Sequence, residues 1–582
     1  MNPTRIFEIL DHQLKNNPLE CCLSTKKNGL WINKSTLEFY EMVNQITFAL
    51  LKLGVKPNEK IALISSTNRT EWSVIDMGIL QLGAITVPLY PNISSNDYEF
   101  ILNHSESTYC FVSDKEIYLK LASIKKNVKG LKGIYSFDKI SGCKNWLNLI
   151  ELGNKNQDQH KLNKYRSNIS DSDVATIIYT SGTTGIPKGV MLTHKNIVSN
   201  VISASKKFPF KKKQIALSFL PLCHIFERTF VYGYMYNGIS VNFAESLDTI
   251  SENLMEVKPN FMTAVPRLLE KVYEKIYNKG NEFSGLKKKI FFWSIKVALK
   301  FEPYNNNLIY LIKHWIAKKL VLSKWKNALG GKLELICSGS APLQPRLARV
   351  FSAAGISIAE AYGLTETSPA ISINELKNKC LKIGTVGKPI ENVEIKIAND
   401  GEILCKGPNV MKGYYKDPKL TKKVMSGGFF HTGDIGLIDN DGFLKVTDRK
   451  KQIFKTSGGK YIAPQVIENY LKQSNLIEQI IVIGEGKKMP AALIQPNFDQ
   501  ARLWMKQNSI PYGKNLEDIS KNIKLIEKIT IEIRTYDKNF GSWERVKAIK
   551  LTPDIWSIEG GHLTPTMKVK RKAVISKYQF LI

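Results

Sequence analysis

Eleven consecutive residues, Tyr179-Thr180-Ser181-Gly182-Thr183-Thr184-Gly185-Ile186-Pro187-Lys188-Gly189, gather hydroxyls, glycines and a lysine into one loop. Such a loop suits a polyphosphate. Glycine lets the backbone approach closely, hydroxyls and amides donate hydrogen bonds, and the Lys188 ammonium offsets negative charge. It is not a Walker loop, in which glycine precedes the lysine and Ser or Thr follows; here Pro187 precedes and Gly189 follows. A bare Ser/Gly turn is a poor account of eleven ordered positions.

Other groups with chemical capacity are spread along the chain. Thr365-Glu366, in the run Ala361-Tyr362-Gly363-Leu364-Thr365-Glu366-Thr367, supplies a carboxylate that could bring Mg²⁺ to phosphates, although Thr-Glu also starts helices. His431-Thr432-Gly433-Asp434, followed by Asp448-Arg449, offers a carboxylate able to accept from two vicinal ribose hydroxyls; Asp in a glycine turn is otherwise a turn former. Ser338-Gly339-Ser340-Ala341-Pro342-Leu343 follows an apolar run, LELIC, at 333–337. His224 lies within Leu220-Pro221-Leu222-Cys223-His224-Ile225-Phe226-Glu227-Arg228. Lys568 lies within Leu563-Thr564-Pro565-Thr566-Met567-Lys568-Val569-Lys570-Arg571, which taken alone is a solvated basic tail.

Short apolar runs alternating with amphipathic stretches must position these groups. Residues 60–64 read as a buried strand, 71–82 as a helix and 84–89 as a strand, a rhythm that implies parallel sheets covered by helices. It resumes at 175–179, 333–337 and 357–361, and strand ends in open α/β sheets are where ligands sit. Beyond residue 380 short strands with Gly and Asp turns predict a β-rich subdomain, and the polar run 448–452 predicts a surface hinge. The expected fold is therefore α/β: a large domain, 1–448, of parallel-sheet subdomains plus a β-rich subdomain, and a small mobile α+β domain, 449–582.

At 582 residues the chain exceeds one compact core, and 43% hydrophobic content is that of a folded protein. The net charge of +31 comes from lysines found in every region, which predicts a thinly basic surface and no nucleic-acid partner. The eight cysteines form no C-x-x-C pair, which suits a reducing cytoplasm. The polar N-terminus is not that of a signal peptide, and no uncharged apolar run of about 18 residues occurs to span a bilayer.

The motif YTSGTTGIPKG, with the others in the same order after it, closely resembles the adenylate-forming superfamily of acyl-CoA synthetases, luciferases and peptide-synthetase adenylation domains. The resemblance implies a catalytic Lys568, an ATP phosphate loop at Thr180 to Lys188, and Glu366 as the Mg²⁺ ligand. It further implies Thr365 at the α-phosphate, Tyr362 and Gly363 beside adenine, and Gly339, Ser340 and Ala341 in the adenine and acyl pocket. Asp434 would take the ribose hydroxyls, Arg449 would contact ribose or phosphate, and His224 would line the carboxylate end of the acyl site. Lys451 matches the family's pivot, after whose swing Gly458 and Gly459 would admit the pantetheine arm of coenzyme A and Lys460 would meet one of its phosphates.

The segments KTSGGKYIAPQVIEN, PLCHIFER and LTPTMKVKR together look like bacterial long-chain fatty-acyl-CoA synthetases, implying a long-chain fatty acid, ATP and coenzyme A as substrates. The stretch 286–329 interleaves Phe291, Phe292, Trp293, Trp315, Leu320 and Trp325 with lysines. It fits either peripheral contact with the inner face of a membrane or a packed helical surface under solvated lysines. The rival readings are an acyl-carrier-protein, medium-chain or aromatic-acid ligase of the same superfamily, and a membrane- or nucleic-acid-binding scaffold.

Overall fold

In this computed structural model, residues 2–181, 187–246, 248–305, 307–377, 380–564 and 567–581 are described, without the side chains of Ser181 and Asn539. Two large sheets carry most of the chain. The first runs Gly413–Tyr414, Pro187–Thr193, Val174–Ser181, Ile85–Leu89, Lys60–Ile64, Ser107–Val112, Gly133–Ser136 and Lys144–Asn145 across eight strands. The second has nine and includes Ser357–Gly363, Leu335–Ser338, Phe261–Ala264 and Ile215–Ser218 as parallel neighbours.

Burial explains the central strands. Ile61, Ala62, Leu63 and Ile64 are all fully buried, as a parallel strand covered by helices on both faces requires. The helix expected at 71–82 is Thr70–Leu80, and the expected strands at 84–89 and 357–361 are Ile85–Leu89 and Ser357–Gly363. The sheets are mixed where they were expected to be parallel. Val174–Ser181 and Pro187–Thr193 pair antiparallel because five residues join them, too few for the crossover that parallel strands need.

A β-rich sheet contains Glu394–Ile397, Glu402–Lys406 and Phe429–Ile438, with Leu444–Arg449 paired along the last. A separate hydrophobic core then gathers residues from Phe454 to Leu551 around the strands Ile477–Ile483, Ala491–Pro496 and Ala548–Leu551. Among the described residues, no helix is long and apolar enough to cross a membrane.

The basic aromatic stretch divides. Phe291 and Trp325 are core residues, whereas Trp315 and Leu320 point outward. Sequence spacing alone could not separate them, because both kinds lie on helices that pack on one side only.

Candidate active site

The hairpin that carries the glycine-rich loop pairs Thr180 with Lys188 and Tyr179 with Gly189. Gly182, Thr183, Thr184 and Gly185, at its tip, lie outside the described residues, as does the Ser181 side chain. Thr180 and Pro187 line a cavity of 1580 Å³. Gly189 has to be glycine, since a Cβ there would come within 2.8 Å of Ile177 and 3.3 Å of Tyr415. That close approach brings the neighbouring Gly413–Tyr414 strand alongside, so that the Lys188 ammonium sits 5.6 Å from the centre of the Tyr414 ring. The Tyr414 hydroxyl in turn donates to Glu366 Oε1 at 2.9 Å.

Two parallel strands, Leu335–Ser338 and Ser357–Gly363, end at the cavity with Ser338 opposite Glu360. After the first, Gly339 passes so close to Phe226 that a Cβ would lie 3.1 Å from its ring, and Ser340 takes a left-handed φ of 68°. Beyond the second, a Cβ on Gly363 would fall 1.7 Å from the Pro369 carbonyl oxygen, so no other residue fits. This fixes the turn Thr365–Thr367 and aims Glu366 into the cavity. Ala341 and Thr365 also line it.

Tyr362 donates its hydroxyl to Asp434 Oδ2 at 2.8 Å, and Arg449 Nε approaches Asp434 Oδ1 at 3.0 Å. Asp434 and Arg449 face each other across antiparallel strands, which accounts for their fifteen-residue separation. Burial raises the Asp434 pKa and the Arg449 guanidinium opposes the rise.

Lys568 arrives from the small domain on a turn in which Thr564 N–H donates to the Lys568 carbonyl at 2.8 Å and Lys568 N–H donates to Thr564 Oγ1 at 3.1 Å. Its side chain is open to the cavity but walled round by protein. That confinement, then the nearby Arg449, lowers its pKa to about 8, against the pull of Asp434 and Glu366. His224 caps the helix Ile225–Tyr236, its Nδ1 accepting from Phe226 N–H at 3.2 Å, so a neutral ring carries its proton on Nε2. Burial, and secondarily Lys568, pushes its pKa down to about 4.

These values give the pH dependence a definite sign. For the adenylation that the sequence resemblance implies, in which Lys568 would act as an ammonium, kcat/KM should fall as pH rises through about 8. The kcat profile, measured with nucleotide bound, should fall at higher pH, because phosphate charge stabilises the ammonium. His224 stays neutral throughout and contributes no inflection near its usual pKa. A decline in kcat/KM appearing only near an ordinary lysine pKa would contradict this geometry.

The structure does not bring every expected residue to the cavity. Lys188, Lys451, Gly458, Gly459 and Lys460 are absent from its lining, and Lys460 instead lies 5.3 Å from the ring centre of Trp543. Lys451 sits in the turn that follows Arg449, where Gln452 N–H donates to the Arg449 carbonyl. Two residues join the site that motif reading passed over. Tyr414 bridges Lys188 and Glu366, as above. Glu360, two positions before Tyr362 and so on the same strand face, is a buried carboxyl with a pKa raised to about 8 by desolvation. A lone carboxylate in an otherwise apolar strand was the available signal.

The cavity also has an apolar part, lined by Val201, Ala204 and Phe208 and by Phe226, Phe230 and Gly233, which we call its apolar arm. The second three recur at helical spacing on Ile225–Tyr236. The whole is a polar chamber with a carboxylate pair, cations and a hydrophobic extension.

The profile of the AMP-binding enzyme family matches residues 10–415, and that of the AMP-binding enzyme C-terminal domain matches 451–582. The chain belongs to the AMP-binding enzyme family. Among its relatives, it is 33% identical to the long-chain-fatty-acid–CoA ligase FadD15 of Mycobacterium bovis over 95% of this chain and 92% of the relative. It is 32% identical to the long-chain-fatty-acid–CoA ligase 5 of Rattus norvegicus, over 99% and 87%. In fold it is similar to the anthranilate CoA ligase AuaEII in complex with anthranoyl-AMP, with a TM-score of 0.74 at 20% identity over 98% of this chain and 97% of that one. A fatty acyl CoA synthetase of Mycobacterium tuberculosis gives a TM-score of 0.63 at 18% identity over 99% and 98%.

Proposed function

We propose that the protein is an ATP-dependent long-chain fatty-acid–CoA ligase. In the first half-reaction a fatty-acid carboxylate oxygen attacks the α-phosphorus of ATP, the bond from that phosphorus to the bridging oxygen breaks, and pyrophosphate leaves with its electron pair. In the second, the sulfur of coenzyme A attacks the acyl carbonyl, the bond to the phosphate oxygen breaks, AMP departs and the thiol proton is lost. The observation that carries the reading is one cavity holding Lys568, Glu366, Asp434 and Arg449 together with an apolar arm.

Within this reading, Asp434 accepts from the ribose hydroxyls, Arg449 orients it, and Tyr362 packs beside adenine, with Gly339, Ser340 and Ala341 completing the wall. Thr180 and Lys188 flank the phosphates, and Thr365 meets the α-phosphate. Lys568 holds its ammonium where negative charge develops on carboxylate and phosphoryl oxygens, in a confined site where such charge is poorly screened. His224 offers its Nε2–H near the carboxylate end of the acyl arm. Mg²⁺ fits the donors present: Glu366 makes no ion pair among the described residues, and this ion is content with one or two carboxylates, phosphate oxygens and water. When bound, it would be held by Glu366 and would neutralise phosphate charge.

The two steps need different surroundings, and we assign the division to a hinge between 1–448 and 449–582, pivoting at Lys451. Arg267 pairs with Glu478, and Asn497 Nδ2 donates to Glu274 at 2.7 Å, contacts that hold the small domain where Lys568 reaches the cavity. That arrangement suits adenylation. Rotation would remove Lys568 and present Gly458, Gly459 and Lys460 for the pantetheine arm and a phosphate of coenzyme A. We place the protein in the cytoplasm, where peripheral contact with the inner face of a membrane would give access to its acid, with no nucleic-acid partner.

The long-chain preference rests on the apolar arm. A Cβ on Gly233 would find only Ser205 Oγ, at 3.7 Å, so the position is open toward the facing helix. Gly233→Phe should fill that space and shift preference to shorter acids, lowering kcat/KM for palmitate by about 10²-fold while sparing octanoate, since each excluded methylene forfeits roughly 0.8 kcal/mol. Pyrophosphate release measured across saturated acids checks this. An unchanged length profile would place the chain elsewhere.

A further inference from the structure

We propose that the helix Leu308–Ala317 and the helical turn after it form a docking face for an anionic lipid bilayer; this rests on the fatty-acid reading above and names the surface that meets the membrane. Large apolar side chains on a folded protein's surface are normally scattered singly. Here Leu308 is 74% exposed, Ile309 67%, Ile312 60% and Trp315 63%, with Leu320 beyond them also outward. At 100° per residue the first four fall within one third of the helix circumference. The opposite side faces protein: Ala317 is buried and His314 Nε2 lies 2.8 Å from the Ala353 carbonyl oxygen. The apolar stripe is therefore what the fold leaves uncovered.

Charge says what covers it. Between residues 283 and 333 the sequence holds eleven lysines and one carboxylate, Glu302. The lysines' even dispersal over the whole chain hides this local run. Lys313, Lys318, Lys319 and Lys324 are exposed around the stripe, and none has a carboxylate partner among the described residues. Lys319 sets its ammonium 5.3 Å from the centre of the Trp315 ring, pairing an amphipathic aromatic with a cation at the rim. Apolar side chains at the centre, lysines at the edge and Trp between them match the depth profile of a membrane interface with anionic headgroups. An acidic protein would satisfy the lysines but not Leu308, Ile309 and Ile312 together; a second copy of this chain would set like charges against each other.

The face also lies in a useful place. Its helix packs on Gly285–Ala298, which packs on Pro345–Ala353, and that helix contributes Arg346 and Arg349 to the cavity wall. A fatty acid leaving the bilayer there would be two helices from the active site.

Flotation of the full-length protein with phosphatidylcholine vesicles, with and without phosphatidylglycerol, tests the proposal. The wild type should float with the anionic vesicles and lose binding as salt rises. Ile309→Ser/Ile312→Ser/Trp315→Ser, and separately Lys313→Glu/Lys318→Glu/Lys319→Glu/Lys324→Glu, should each lower the partition coefficient by about 10²-fold. Both should keep the wild-type thermal midpoint and wild-type pyrophosphate release from albumin-delivered palmitate. Equal flotation of variants and wild type, or no flotation of the wild type, would overturn the proposal. So would a wild-type dimer in light scattering that the serine variant dissolves, because a second copy would then own the face. Pyrophosphate release absent with every acid would instead sink the fatty-acid reading and leave the flotation result standing.

Discussion

Lys568→Ala is expected to slow pyrophosphate release by about 10³-fold and to leave thioester formation from supplied acyl-adenylate and coenzyme A unchanged. The size follows from placement. The ammonium is set in a confined cavity by a hydrogen-bonded turn, close enough to Asp434, Glu366 and Arg449 that all three alter its pKa. As the carboxylate attacks, charge builds on oxygens in that same space, and of the lysines expected at the site only Lys568 is among the described residues that line the cavity. The second half-reaction has no such need, since the adenylate is already a good leaving group. Rapid-quench pyrophosphate assays and thiol consumption separate the two steps. Equal loss in both would mean that Lys568 acts on the thioester step as well and that the hinge assignment is wrong.

The second large effect concerns the junction between the two main sheets. Arg228, on Ile225–Tyr236, and Asp76, on Thr70–Leu80, are both fully buried and ion-paired. Tyr232 also donates to Asp76, Thr86 Oγ1 donates to Asp76 at 2.8 Å, and Arg228 Nη1 donates to Thr176 Oγ1 at 2.9 Å. Thr86 and Thr176 belong to the eight-stranded sheet, whereas the helix bearing Arg228 packs on the nine-stranded one. Removing one partner strands the other charge without solvent. Asp76→Ala should therefore destabilise the large domain by about 3–5 kcal/mol, read as a lower urea midpoint. Asp76→Leu combined with Arg228→Met should recover most of that loss, because the apolar pair abolishes the uncompensated charge. A double variant no more stable than Asp76→Ala would show that the network does more than balance charge.

Much of the site was legible in the sequence because its parts are local. The apolar run at 175–179 marks the strand Val174–Ser181 without any tertiary information, and the Thr365-Glu366 turn is equally self-contained, whereas the tip of the glycine-rich loop lies outside the described residues. What stayed hidden depends on contacts between distant segments. Asp76 and Arg228 are 152 residues apart, and although Arg228 stands in a motif, nothing local assigns it a partner. Tyr414 reaches Glu366 only because a two-residue strand pairs beside the loop hairpin. Glu360 was passed over because strand polarity shows which face a residue takes, not what that face meets. Along 286–329 the helices were legible, but Trp325 inward and Trp315 outward required knowing which neighbours pack where.

The most direct test of the central claim is pyrophosphate release across saturated acids of increasing length, with and without coenzyme A. The account predicts release that is greatest with long-chain acids, a single limited turnover without coenzyme A, and sustained release with AMP and fatty acyl-CoA accumulating once it is added. Release confined to short or aromatic acids, or production of ADP in place of AMP, would contradict it.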